Sequence, residues 1–122
     1  MIILDANYIL RFLLKDDKEM YMISKKVILG NECFITLEVL AEVIYVLLGV
    51  YKVDRAIIGE ILTNFVSSKN IKLNDKNLTI CSLKIFSKKR MDFVDSILCC
   101  MSKDNRVATF DKRLNNCIKD IK

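Results

Sequence analysis

Four short, largely apolar runs recur along the chain: Ile2-Ile3-Leu4, Cys33-Phe34-Ile35, Ile71-Lys72-Leu73 and Val107-Ala108-Thr109-Phe110. Runs of this length, bounded by polar residues, suit strands buried on both faces. The stretches between them carry helix signals at residues 8–14, 17–29, 37–48, 55–67, 74–87 and 92–103, with a short helical piece after Asp111. Asp16 or Asp17, Thr36, Asn74 or Asp75, and Asp92 stand where N-caps are expected, because a short polar side chain can accept from the orphan amides of a first turn. Gly30-Asn31 supplies a stop, and Gly49 and Asp54 separate two helices. Residues 117–122 either add a short fifth strand or stay irregular. This alternation predicts an α/β fold: a single-domain three-layer α/β/α architecture around a central, mostly parallel sheet of four to five strands.

The 122 residues suffice for one domain, spanning 1–122, and not for two. No internal repeat, linker or low-complexity tract divides them. The net charge of +5 favours a polyanionic partner, nucleic acid first and an anionic membrane surface second. A basic surface that merely keeps the protein dissolved explains the charge equally well. No apolar run reaches the roughly 18 residues of a membrane span, and Asp5 interrupts the N-terminus too early for a secretory signal. Cys33, Cys81, Cys99, Cys100 and Cys117 are odd in number and lack Cys-x-x-Cys spacing. Read as free, buried thiols they fit a reducing compartment, so a cytoplasmic protein is expected.

Histidine is absent. That removes Ser–His and Cys–His nucleophiles and imidazole metal sites, leaving carboxylates, lysines and a hard metal ion for any hydrolytic chemistry. In open α/β sheets ligands bind beyond the carboxyl ends of the strands. Asp5 directly follows the first run and Asp111 the fourth. Asp95 lies in the first turn of the helix opened by Asp92, and Glu42 lies in the helix after the second run. Aspartates in such places are as often simple helix caps. Glu42 resists that explanation. It sits within Val39-Leu40-Ala41-Glu42-Val43-Ile44-Tyr45-Val46, where no polar face is evident, so it is expected to be largely buried and to need a cation. A salt bridge to Arg11 would also satisfy it. Glu38 lies one turn earlier on the same face. Gathered carboxylates repel unless a cation sits among them. Magnesium suits hard oxygen donors and pairs naturally with phosphate oxygens. A basic surface around an acidic pocket therefore suggests a nucleic-acid phosphodiester.

At these residues the chain resembles a PIN domain, specifically the VapC-type toxin ribonucleases. The opening Ile-Leu-Asp-Ala-Asn-Tyr-Ile-Leu-Arg-Phe-Leu-Leu-Lys-Asp-Asp is similar to the start of that subgroup and places the first catalytic acid at Asp5, with Asn7 as its accompanying polar residue. Leu37-Glu38-Val39-Leu40-Ala41-Glu42-Val43 resembles the second acidic motif, with the acid at Glu42. Asp92-Phe93-Val94-Asp95-Ser96 resembles the third, with the acid at Asp95. Thr109-Phe110-Asp111 resembles the fourth, with the acid at Asp111 and a supporting hydroxyl at Thr109. Ala6 stands where a threonine or serine is commoner, and Ser96 where alanine is. The resemblance implies one or two Mg2+ or Mn2+ ions, held by Asp5, Asp95 and Asp111. It implies RNA cleavage leaving a 3′-hydroxyl and a 5′-phosphate, a homodimer, and a cognate VapB-like antitoxin that blocks the site.

Asn7, Thr109, Asp92 and Glu38 are then expected to support the catalytic acids. Arg11, Lys88, Lys89, Arg90 and Lys112 are candidates for contact with the RNA backbone. Tyr8, Phe12 and Phe93 could stack bases, although helical aromatics more often join the core. The apolar helices at 37–48 and 57–66 are candidate dimer or antitoxin surfaces. Competing readings are a PIN-fold nuclease in RNA processing without an antitoxin, a phosphoacceptor receiver-like module, and a PIN-fold scaffold without activity. The receiver fits poorly, since only Asp5 follows the first strand and Asn74-Asp75 follows the third.

Overall fold

Five helices begin where a side-chain oxygen closes the first turn, at Asp5, Asp17, Asp75, Asp92 and Asp111, and a sixth begins at Thr36. The computed structural model describes residues 1–122. Strand β1 is Ile2–Ile3, followed by helices α1, Ala6–Leu14, and α2, Lys18–Gly30. Strand β2 is Cys33–Phe34, followed by α3, Leu37–Gly49, and α4, Arg55–Val66. Strand β3 is Ile71–Lys72, and three helices complete the chain: α5, Lys76–Lys88; α6, Phe93–Met101; and α7, Lys112–Ile121. No helix is long and apolar enough to cross a membrane.

The sheet is parallel in the order β1-β2-β3, with Ile2 opposite Cys33 and Cys33 opposite Ile71. Amides beyond the strands extend the pairing by one residue, Leu4 N–H to Phe34 C=O and Ile35 N–H to Lys72 C=O. All three strands thus end on one edge, where Asp5 and Thr36 open α1 and α3. Nineteen buried residues from Leu4 to Phe93 form the main core around the sheet and α1–α5. A second, smaller core of Met91, Cys99, Leu114 and Cys117 joins α6 to α7.

Four expectations are corrected here. The sheet has three strands, not four to five. Residues 107–110 form no strand; they make no ladder hydrogen bond, and Phe110 projects fully into solvent. Residues 117–121 continue α7 instead of forming a fifth strand, because Leu114, Cys117, Ile118 and Ile121 recur at helical spacing and cover the second core. Finally, four cysteines are paired. Cys81 of α5 bonds Cys100, and Cys99 bonds Cys117 of α7, which leaves only the buried Cys33 free. Adjacent residues on a helix point about 100° apart, so Cys99 and Cys100 face different neighbours and fasten α6 on two sides. Cysteine usage therefore gives no ground for expecting a reducing compartment.

Candidate active site

Asp5 caps α1, one carboxylate oxygen accepting the Tyr8 amide at 2.9 Å. Asp92 caps α6 through the Asp95 amide at 2.8 Å, and Asp111 caps α7 through the Leu114 amide at 2.9 Å. Capping and chemistry are compatible in these residues. The cap engages one oxygen and fixes the carboxylate, which leaves the second oxygen available. All three side chains are exposed.

Asp95 differs from them. It caps nothing and is partly buried in the first turn of α6. Burial, followed by the negative charges of Asp92 and Asp111, pushes its carboxyl above the usual carboxylate range. These three acids thus share one electrostatic neighbourhood where α6 and α7 begin. Asp5 and Glu42 stand on α1 and α3, which pack against each other, and neither is among the charges acting on Asp95. No three acidic or thiol side chains are gathered closely enough to hold a metal ion by themselves, so Asp5, Asp95 and Asp111 do not form a closed cage.

Glu42 is exposed, not buried. Helix α3 buries Leu40, Val43, Ile44 and Leu47, while Glu38, Glu42 and Tyr45 form an outward stripe at i, i+4 and i+7. Water solvates that stripe, so Glu42 needs no buried countercharge. Nor does it pair with Arg11, whose guanidinium meets Asp16 at 2.9 Å and the Tyr51 hydroxyl at 3.2 Å. The Tyr51 hydrogen bond, aided by Asp16, raises the Arg11 pKa and holds its charge.

Several supporting contacts carry little sequence signal. The Thr109 hydroxyl accepts the Asp111 amide at 3.0 Å, and Asn115 Nδ2 donates to the Thr109 carbonyl at 3.1 Å. Ser96 is wholly buried and donates to the Asp92 carbonyl at 2.9 Å. Arg55 lies over the Phe86 ring and donates to the Met91 carbonyl at 2.6 Å, fixing the approach to α6. Ser96 sits inside the third motif. Asn115 and Arg55 lie outside every motif, and only the folded chain brings them to these contacts. Asn7 is exposed beside Asp5, and no hydrogen bond ties its side chain to that acid.

The basic candidates divide. Lys89 is paired with Asp120 at 2.8 Å. Lys88, Arg90 and Lys112 are exposed and join no ion pair. Among the aromatic candidates, Phe93 is buried in the main core and Phe12 packs against Tyr21 and Phe65, whereas Tyr8 is exposed. Between α3 and α6 lies a groove of about 500 Å³, lined by Leu37, Glu38, Ala41, Glu42, Tyr45, Val94 and Ile97.

The fold is thus a parallel α/β sheet with capped helices at its strand ends, and a partly buried carboxylate, Asp95, lies near the charges of Asp92 and Asp111. The PIN domain family model matches residues 2–118, and the chain belongs to that family. Members of the family are generally nucleases, so this is a nuclease fold. No curated protein and no solved structure matches the chain.

Proposed function

We propose that the protein is a metal-dependent endoribonuclease acting on RNA phosphodiester bonds, with Asp5, Glu42, Asp95 and Asp111 as its catalytic acids. The observation that carries this reading is Asp95. It is a partly buried carboxylate in the first turn of α6, near the negative charges of Asp92 and Asp111, and it joins no ion pair. Such a group calls for a divalent cation. The donors are hard oxygens only, without histidine and with the one free thiol buried elsewhere. They fit Mg2+ or Mn2+ held by one or two carboxylates, chiefly Asp95 with Asp5 or Asp111, with the other positions left to water and phosphate oxygens. When bound, the ion supplies positive charge to the phosphate and lowers the pKa of water beside it.

The chain's own contribution is placement. Asp92 and Ser96 fix the turn that presents Asp95. Thr109 and Asn115 fix the turn that presents Asp111. A free carboxylate oxygen at Asp5 or Asp111 can accept a proton from the attacking water, which displaces the 3′-oxygen in line, and that oxygen leaves as a hydroxyl by taking a proton from solvent. Lys88, Arg90 and Lys112 hold the phosphate backbone. Apolar side chains stand exposed on α2 at Met20, Met22 and Ile23 and on α4 at Ile57 and Ile61. They suit the homodimer and VapB-like antitoxin contacts of a toxin–antitoxin pair working in the cytoplasm.

A second reading, a PIN-fold scaffold without activity, is favoured by one observation: no three acids are gathered into a metal cluster. One experiment separates the two. Purified protein is incubated with total cellular RNA in Mg2+, Mn2+ or EDTA, beside the Asp5→Asn variant. Discrete cleavage that requires metal and disappears in the variant is expected. Absence of cleavage in both metals supports the scaffold.

A further inference from the structure

We propose that the Cys81–Cys100 disulfide is a site of reversible modification by a low-molecular-weight thiol of the cysteine or cysteinyl-peptide class, while Cys99–Cys117 stays closed. The proposal does not rest on the nuclease reading. The two bonds stand in different surroundings. Cys99 and Cys117 are 0% and 1% exposed, inside the second core with Met91 and Leu114. Cys81 is only half-buried, and together with Cys100 it lines a pocket of about 370 Å³ between the start of α5 and the end of α6.

The pocket suits such a thiol. Asn77 stands exposed in its lining, one turn before Cys81 on the same face of α5. Lys103, Asp75 and Asp104 also line it, and none of the three joins an ion pair, so free charges of both signs border the bond. A cysteinyl compound carries both an ammonium and a carboxylate to meet them. A pocket of this volume takes a small molecule and excludes a folded protein. Exchange begins when the thiolate of the small molecule, its proton left to water, attacks the accessible Cys81 sulfur. A new S–S bond joins the two, the Cys81–Cys100 bond breaks, and its electron pair leaves on Cys100, which takes a proton from water. Attack by Cys100 on the same sulfur reverses the step and expels the small thiol. Adjacent residues on a helix point about 100° apart, so Cys99 keeps its own bond in the core. Helix α6 is then fastened covalently to α7 alone.

The test incubates the native full chain with cysteine, glutathione or no thiol at mildly alkaline pH. Free thiols are trapped by alkylation at timed intervals and located by peptide mass analysis. At early times one added thiol at Cys81 and one alkyl group at Cys100 are expected, with this bond opening at least about tenfold faster than Cys99–Cys117. Asn77→Trp, a change at an exposed position that fills the pocket beside Cys81, is expected to slow the opening about tenfold. In denaturant the two bonds are expected to open alike, in parent and variant, because the difference belongs to the fold. Equal opening in the native chain, modification at Cys99 or Cys117 before Cys81, or an Asn77→Trp variant that opens like the parent would overturn the proposal. So would alkylation of Cys81 and Cys100 without any added thiol, since no bond would then be there to exchange.

Discussion

Asp5 caps α1 and is proposed to act in catalysis, two tasks that a single substitution can separate. Its cap on the Tyr8 amide needs only a side-chain oxygen, and asparagine caps as well as aspartate. Asp5→Asn is therefore expected to melt close to the parent while losing cleavage. Asp5→Ala removes the cap as well and is expected to cost about 1 kcal/mol more in thermal denaturation. Asp95 has the opposite balance. Burial and the charges of Asp92 and Asp111 raise its pKa in the folded state. A raised carboxyl contributes stability when protonated, and that contribution is lost as pH rises through the folded pKa. At neutral pH without divalent ions, the ionised group is thus a net burden on the fold. Asp95→Asn is expected to melt higher than the parent in EDTA at pH 7, with the gap narrowing as pH is lowered into the carboxylate range. It is also expected to be inactive on RNA. A lower melting temperature at neutral pH would show that the repulsion is balanced by something else. A higher melting temperature together with lost cleavage would put a stability cost at the residue proposed to carry the chemistry, the pattern expected of a working site.

At the scale of elements, α6 is held from two sides, and its hold can be released chemically. The disulfides close loops with sequence separations of 19 and 18 residues. Each such loop restricts the unfolded chain by about 3 kcal/mol, and the two overlap in α6, so their effects do not simply add. Reduction is expected to lower the melting temperature by about 10 °C or more. Mass analysis after alkylation without reductant is expected to find one modifiable cysteine, Cys33, and only in denaturant. A second contact is the close approach of α4 to α5. A Cβ on Gly59 would meet Ser87 Cβ at 2.5 Å and the Leu83 carbonyl oxygen at 3.4 Å. Gly59→Ala is expected to cost about 1–3 kcal/mol in chemical denaturation despite its better helix propensity. Neither feature is legible in the sequence. Pairing among five cysteines depends on which helices meet, which spacing alone does not encode. The seven helices are legible because caps and apolar periodicity are local. The segment 107–110 has the pattern of a strand, but a strand exists only where a neighbouring backbone pairs with it, and that condition is not local. Glu42 misleads for a related reason: a mostly apolar helix still turns one stripe outward, and two glutamates and a tyrosine suffice to mark it.

Across the whole molecule, the net charge of +5 can act on the proposed RNA substrate only through cations that are free to meet it. The structure sorts these from the rest, which counting charges does not. Lys89 is engaged with Asp120 and Arg11 with Asp16, while Lys88, Arg90 and Lys112 are unpaired. Two of these lie just before α6 and one at the start of α7, the helices that present Asp95 and Asp111. Binding through them releases counterions from the RNA, so affinity falls with salt by a slope of about 0.7 for each phosphate neutralised on a single strand. Replacing Lys88, Arg90 and Lys112 together by alanine is expected to flatten that slope by about 2. The variant is also expected to weaken binding of every RNA sequence to a similar degree, since phosphates carry no sequence. Lys89→Ala, which frees Asp120 rather than a phosphate, is expected to change the slope little. The measurement is binding of a short labelled RNA in Ca2+ or EDTA between 50 and 300 mM salt, with cleavage suppressed. An unchanged slope in the triple variant would move the RNA path to another face. An equal effect of Lys89→Ala would mean that its ion pair opens to admit the phosphate.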